Sequence, residues 1–91
     1  MVEITGVVGG VVNFTCRSSG PVEFRRDGEH GKLFTYNNRI VEDNSLIIKD
    51  LVSADSGIYK CYDATEGGMP IRQAKISVMP KGNFFIILHE R

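Results

Sequence analysis

Apolar and polar residues alternate along most of this chain. Over residues 9–17, Val12, Phe14 and Cys16 fall on one side and Asn13, Thr15 and Arg17 on the other. A period of two belongs to a strand with one buried face, so a strand is predicted here with its cysteine inward. Residues 22–28 repeat the pattern with Val22 and Phe24 inward. Asp27-Gly28 is a hairpin signal that makes residues 32–36 (Lys-Leu-Phe-Thr-Tyr) the return strand. Asn37-Asn38 breaks that segment. Short strands follow at 39–42 and around Leu46 and Ile48, with Leu51 as a further inward position. Residues 57–63 put Tyr59 and Cys61 inward and Ile58, Lys60 and Tyr62 outward. After a loop at 65–70, residues 71–78 put Ala74, Ile76 and Val78 inward and Arg72, Gln73, Lys75 and Ser77 outward. Pro80 ends that strand because it has no N–H to donate. Residues 2–8 add an edge strand before Gly9-Gly10.

No segment of ten or more residues carries a 3.6-residue apolar period, so the chain reads as all-β, an antiparallel sandwich or barrel. Its 91 residues make one small domain, residues 2–80, followed by a tail at 81–91. A domain of this size buries only about 60% of the surface its unfolded chain exposes, and a covalent staple would help it. Cys16 and Cys61 are the two cysteines, 45 positions apart. A single disulfide, and with it an oxidising compartment, is the natural reading; two buried free thiols in a reducing compartment are the alternative. His30 and His89 are far from both cysteines, which leaves no clustered ligand set for zinc. Eleven basic residues balance eleven acidic ones, so no long-range field favours nucleic acid or an anionic membrane. The longest apolar run, 84–88, has five residues, and a membrane would be met only through an anchor outside this chain. The first residues lack the basic and apolar regions of a signal peptide, and Met1 reads as an initiator of a mature domain.

The stretch Asp-Ser-Gly-Ile-Tyr-Lys-Cys at 55–61 sharpens this picture. Two inward cysteines on separate strands meet only across opposed sheets, so a bridge would pin the middle of a sandwich with Val22, Phe24, Leu46, Ile48, Leu51 and Tyr59 around it. Tyr59, two positions before Cys61, needs a partner for a buried hydroxyl, and the bend before it supplies carbonyls. Gly57 permits that bend. Together with Leu46, Ile48 and Leu51, this stretch resembles the immunoglobulin superfamily, in which the tyrosine forms a corner before the second cysteine. The resemblance runs from about residue 2 to 78. It implies a Greek-key sandwich of two antiparallel sheets, a Cys16–Cys61 inter-sheet disulfide, and an ion pair between Arg39 and Asp55. It also implies the variable-like or intermediate set of cell-surface immune-type receptors and adhesion molecules. The sequence departs from the pattern in having no tryptophan, for which Phe24 is the substitute, and no Phe-Gly-x-Gly in the last strand.

Candidate sites follow from the outward positions. Glu23, Arg25, Lys60, Tyr62, Gln73 and Lys75, with Phe34 and Tyr36 nearby, give the face formed by the family's C, F and G strands a mix of charge and aromatics that suits partner binding. The Gly-rich loop at 63–70 is a further candidate contact. Asn13-Phe14-Thr15 is an N-glycosylation sequon, outward at Asn13 and Thr15. Residues 84–88 favour weak self-association if exposed. No nucleophile, base and acid recur at a catalytic spacing, and no glycine-rich loop precedes a helix, so neither an enzyme nor a cofactor is expected. The expected function is recognition of a cell-surface or extracellular protein, a second copy included. A structural immunoglobulin module of an intracellular filament or matrix protein is the alternative. A carbohydrate-binding receptor, with Arg25, Arg26 or Arg72 holding an acidic sugar, is the third.

Overall fold

The computed structural model describes residues 1–81. In chain order the strands are β1 (Val2–Val7), β2 (Val12–Thr15), β3 (Val22–Arg26), β4 (Arg39–Glu42), β5 (Ser45–Ile48), β6 (Gly57–Asp63) and β7 (Gly67–Met79). They form a four-stranded sheet in the order β1-β7-β6-β3 and a three-stranded sheet in the order β2-β5-β4. β3, β6 and β7 hold the places of the family's C, F and G strands. Pairing is antiparallel except at one edge, where β1 runs parallel to β7 from Val2 beside Ala74 to Val7 beside Met79. The chain then crosses to the second sheet through Gly9, whose N–H donates to the Leu51 carbonyl at 2.7 Å. Gly6 permits the approach of the layers at this edge: a Cβ there would lie 2.6 Å from Leu51 Cδ1.

The alternating positions make the core. Phe14, Phe24, Leu46, Ile48, Leu51, Tyr59 and Ile76 are fully buried around the disulfide. Cys16 and Cys61 are bridged across the sheets with their Cα atoms 6.5 Å apart. Phe24 pairs in register with Cys61 and meets Phe14 edge-on, with ring centres 5.6 Å apart, so phenylalanine fills the place left by the missing tryptophan. Val22 is only half-buried, near the open end of β3.

Two segments differ from the sequence reading. Residues 32–36 form no strand. Gly28 and Gly31, both at positive φ (94° and 74°), break the pairing, and Leu33 alone docks, buried and donating its N–H to the Phe24 carbonyl at 2.7 Å. The segment then leaves β3 for the other sheet: Thr35 Oγ1 accepts the Val41 N–H at 2.9 Å and so satisfies part of the β4 edge. The expected loop at 63–70 is mostly strand. Asp63 Oδ1 accepts the N–H groups of Thr65 and Glu66, both at 2.8 Å, and the chain re-enters β7 at Gly67, whose φ is 68°. Residues 82–91, which include the apolar run at 84–88 and His89, lie outside the described residues.

The corner before β6 is built as expected at its centre and differently at its rim. Tyr59 Oη donates to the Asp55 carbonyl at 2.6 Å inside the core, and burial pushes its phenol pKa up. Arg39 does not pair with Asp55. The Asp55 carboxylate, itself buried, accepts from Asn38 Nδ2 and from the Val52 N–H, both at 3.0 Å, which closes the 3-10 turn Ser53–Asp55 from within. Arg39 is drawn instead to Glu29 in the turn after β3, with donor distances of 3.0 and 2.6 Å in a two-pronged contact. Arg26 also reaches Glu29, at 3.1 Å, and donates to the carbonyls of Ala54 and Ser56. Turn residue 29 brings a carboxylate within reach of Arg39, and the neutral Asn38 satisfies Asp55.

This arrangement has a pH signature. The hydrogen bond from Arg39, seconded by Arg26, lowers the Glu29 pKa from 4.5 to about 2. A carboxylate depressed in the folded state adds stability above its unfolded pKa and loses it as pH falls toward the folded value. Glu29 is more than a third exposed, so solvent screening limits the effect to about 0.5–1 kcal/mol. Glu29→Gln is expected to cost that much at pH 7 and progressively less as pH falls through about 2, measured by urea unfolding across the range. Arg39→Ala and Glu29→Gln are expected to be non-additive, with a coupling larger than that between Arg39→Ala and Asp55→Asn.

Candidate functional site

The outer face of the four-stranded sheet gathers most of the expected contact residues. Register places Glu23 beside Tyr62, and Arg25 beside Lys60, which in turn lies beside Gln73. Lys75 extends the patch between Ile58 and Glu3. Strand alternation turns all of these away from the core. The charges are held in local pairs. Arg25 meets Glu23 at 2.6 Å and lies 5.8 Å from the centre of the Tyr62 ring, and Lys60 Nζ lies 3.2 Å from Asp27. Tyr62 thus lies beside the Arg25 guanidinium, and Glu23, Arg25 and Tyr62 line a shallow hollow with Gly67 and Gly68.

Phe34 and Tyr36 are exposed, and neither lies on β3, β6 or β7. Phe34 follows the docked Leu33 beyond the β3 edge, with Lys32 Nζ 5.1 Å from its ring centre. Tyr36 sits at the end of the sandwich, where it shares a cleft with Glu29, Asn38, Arg39 and Asp55. Asn13 is exposed on β2, in the opposite sheet, with its Oδ1 accepting from Thr15 Oγ1 at 3.1 Å.

Three side chains on or near the face escape the sequence reading. Met69 and Ile71 are exposed on the early part of β7, at 85% and 44%. Ile71 continues the outward alternation of Gln73 and Lys75. Arg72 has the opposite parity, that of Ala74 and Ile76. Its guanidinium crosses to the other sheet, donates to the Thr15 carbonyl and lies 5.7 Å from the Phe14 ring centre. Strict parity counting from Ala74 places both residues correctly; assigning Arg72 by its charge does not.

No protein-family model matches the sequence, and no curated protein is significantly similar to it. Solved structures do match. The CD2-binding domain of CD58 superposes over 84% of this chain with a TM-score of 0.63 and 21% identity. The N-terminal four immunoglobulin domains of Dscam1 isoform 8.4 match over 88% with a TM-score of 0.70 and 22% identity. Tim-1 matches over 88% with a TM-score of 0.66 and 22% identity. The fold is an immunoglobulin sandwich. The chain spans 52% of the CD58 chain, 22% of the Dscam1 chain and 93% of the Tim-1 chain. At these identities the likeness extends to the immunoglobulin fold and no further.

Proposed function

We propose that this immunoglobulin-like domain is an extracellular recognition module that binds a protein partner through the outer face of β3, β6 and β7. The observation that carries this is the contiguous patch made by Glu23, Arg25, Lys60, Tyr62 and Gln73, an aromatic ring beside an arginine within paired charges, on the sheet facing away from Asn13. Interfaces of moderate size take this form, with aromatic and arginine anchors inside a polar rim. A glycan at Asn13 would leave the patch open. The disulfide supports an oxidising compartment and weighs against the intracellular filament module. The CD58 domain, a protein-binding immunoglobulin domain by its CD2 contact, lends the reading further support. Among the arginines considered for an acidic sugar, Arg25 and Arg26 already hold carboxylates, which weakens the carbohydrate reading on this face.

The test is binding of a tetramerised domain to a panel of cells, followed by substitution. Tyr62→Ala is expected to cost about 2 kcal/mol of affinity, roughly thirtyfold. Lys60→Glu should also abolish staining, whereas Glu42→Lys on the opposite sheet should leave it intact. Binding that survives the first two changes and is lost with the third would move the site to the other sheet.

A further inference from the structure

Arg72 and Arg17 line one cleft, together with Thr15 and Ile71, at the edge where β2 faces the start of β7. The cleft exists because β1 begins only at Val2, paired with Ala74, so the inner surface of β7 is unflanked at residue 72. An inward position that would otherwise be apolar can there hold an arginine. Its guanidinium covers Phe14 and is steadied by the Thr15 carbonyl, which occupies Nη1 and leaves the rest of the fork without a described acceptor. Arg17 is exposed, next to the bridged Cys16. Among the described residues, neither arginine has a carboxylate within ion-pair distance, unlike Arg25, Arg26 and Arg39. Among the described residues, no acidic one lines the cleft.

Two arginines line one concavity, and the guanidinium of Arg72 is already held in place; such a pair suits an oxyanion, because the planar fork matches carboxylate and phosphate oxygens. Ile71, 44% exposed, borders the cleft at its rim and offers apolar surface to a ligand's carbon skeleton, which favours an organic oxyanion over a bare inorganic ion. We infer that the Arg17–Arg72 cleft is a binding site for a carboxylate- or phosphate-bearing organic ligand. The cleft adjoins the proposed protein-binding patch along β7 but uses none of the residues that carry it, Glu23, Arg25, Lys60, Tyr62 and Gln73, and does not depend on it.

The test is a titration of the isotope-labelled chain with benzoate and, separately, phenyl phosphate, at constant ionic strength set with chloride. The expected result is a saturable shift of the Nε–Hε signals of Arg17 and Arg72 and of the amides of 15–17 and 71–72. Whichever probe saturates at lower concentration identifies the anion. Arg17→Gln, at an exposed position, should leave the melting temperature unchanged and raise the dissociation constant about tenfold, the loss of one charge-assisted hydrogen-bonding group. Arg72→Lys, which keeps the charge and loses the fork, should weaken binding comparably. Tyr62→Ala should change nothing. Shifts that grow linearly and equally with chloride, or a dissociation constant unmoved by Arg17→Gln, would overturn the inference.

Discussion

Replacing Cys16 and Cys61 together by alanine is expected to lower the stability of the domain by about 4 kcal/mol, the chain-entropy value for a loop of 45 residues. Domains of this size are stable by roughly 0.05–0.15 kcal/mol per residue, so the loss removes between about 30% and nearly all of the total. At about 4–8 °C per kcal/mol, the melting temperature should fall by roughly 15–30 °C. The cost is large because the bridge has few substitutes. The inner faces of two short sheets supply the whole core, and both sulfurs sit at its centre beside Phe24 and Tyr59. The measurement is thermal unfolding of oxidised, reduced and double-alanine protein, with thiol alkylation before reduction to establish the starting state. A double variant that melts within a few degrees of the oxidised protein would show that packing alone holds the layers together. Free thiols in protein from its native source would favour the intracellular filament reading over the extracellular one.

The inner surface of this fold is legible in the sequence because burial imposes a period of two, and Val12, Phe14, Cys16, Tyr59, Cys61, Ala74, Ile76 and Val78 all keep it. The same parity exposes the outward patch. Chain-distant choices are not legible in this way. Whether 32–36 extends β3 or departs toward β4 is decided by Thr35 meeting Val41 and by the glycines at 28 and 31, contacts that no local pattern encodes. The Arg39 partner is decided similarly. Asp55 and Glu29 are both acids within the chain's reach, and only the turn after β3 shows that Glu29 lies closer and that Asn38 has already satisfied Asp55. Arg72 is a different case. Its parity was readable, but a charged residue in an inward slot makes sense only once β1 is seen to stop short of it.

Phe24→Ala is expected to cost about 3–5 kcal/mol, nearly as much as the bridge. The ring is inaccessible to solvent, stands opposite Cys61 in the β3–β6 ladder, and packs edge-on against Phe14 from the other sheet. Its removal leaves a hole at the one place where both layers, the disulfide and the aromatic pair converge, and short strands held in ladders have little freedom to collapse into it. Phe24→Leu retains most of the apolar area and loses mainly the edge-on contact, so its cost should stay near 1–2 kcal/mol. The same hole should loosen Leu33, whose backbone N–H is held by the Phe24 carbonyl and whose side chain is the docked point of the 32–36 segment. Amide exchange at Leu33 should therefore speed up in Phe24→Ala beyond what the global loss of stability accounts for, while Thr35 and Val41, anchored to each other on the far sheet, should follow the global value. A Phe24→Ala variant destabilised by less than about 1 kcal/mol would mean that another side chain occupies the place of the missing tryptophan.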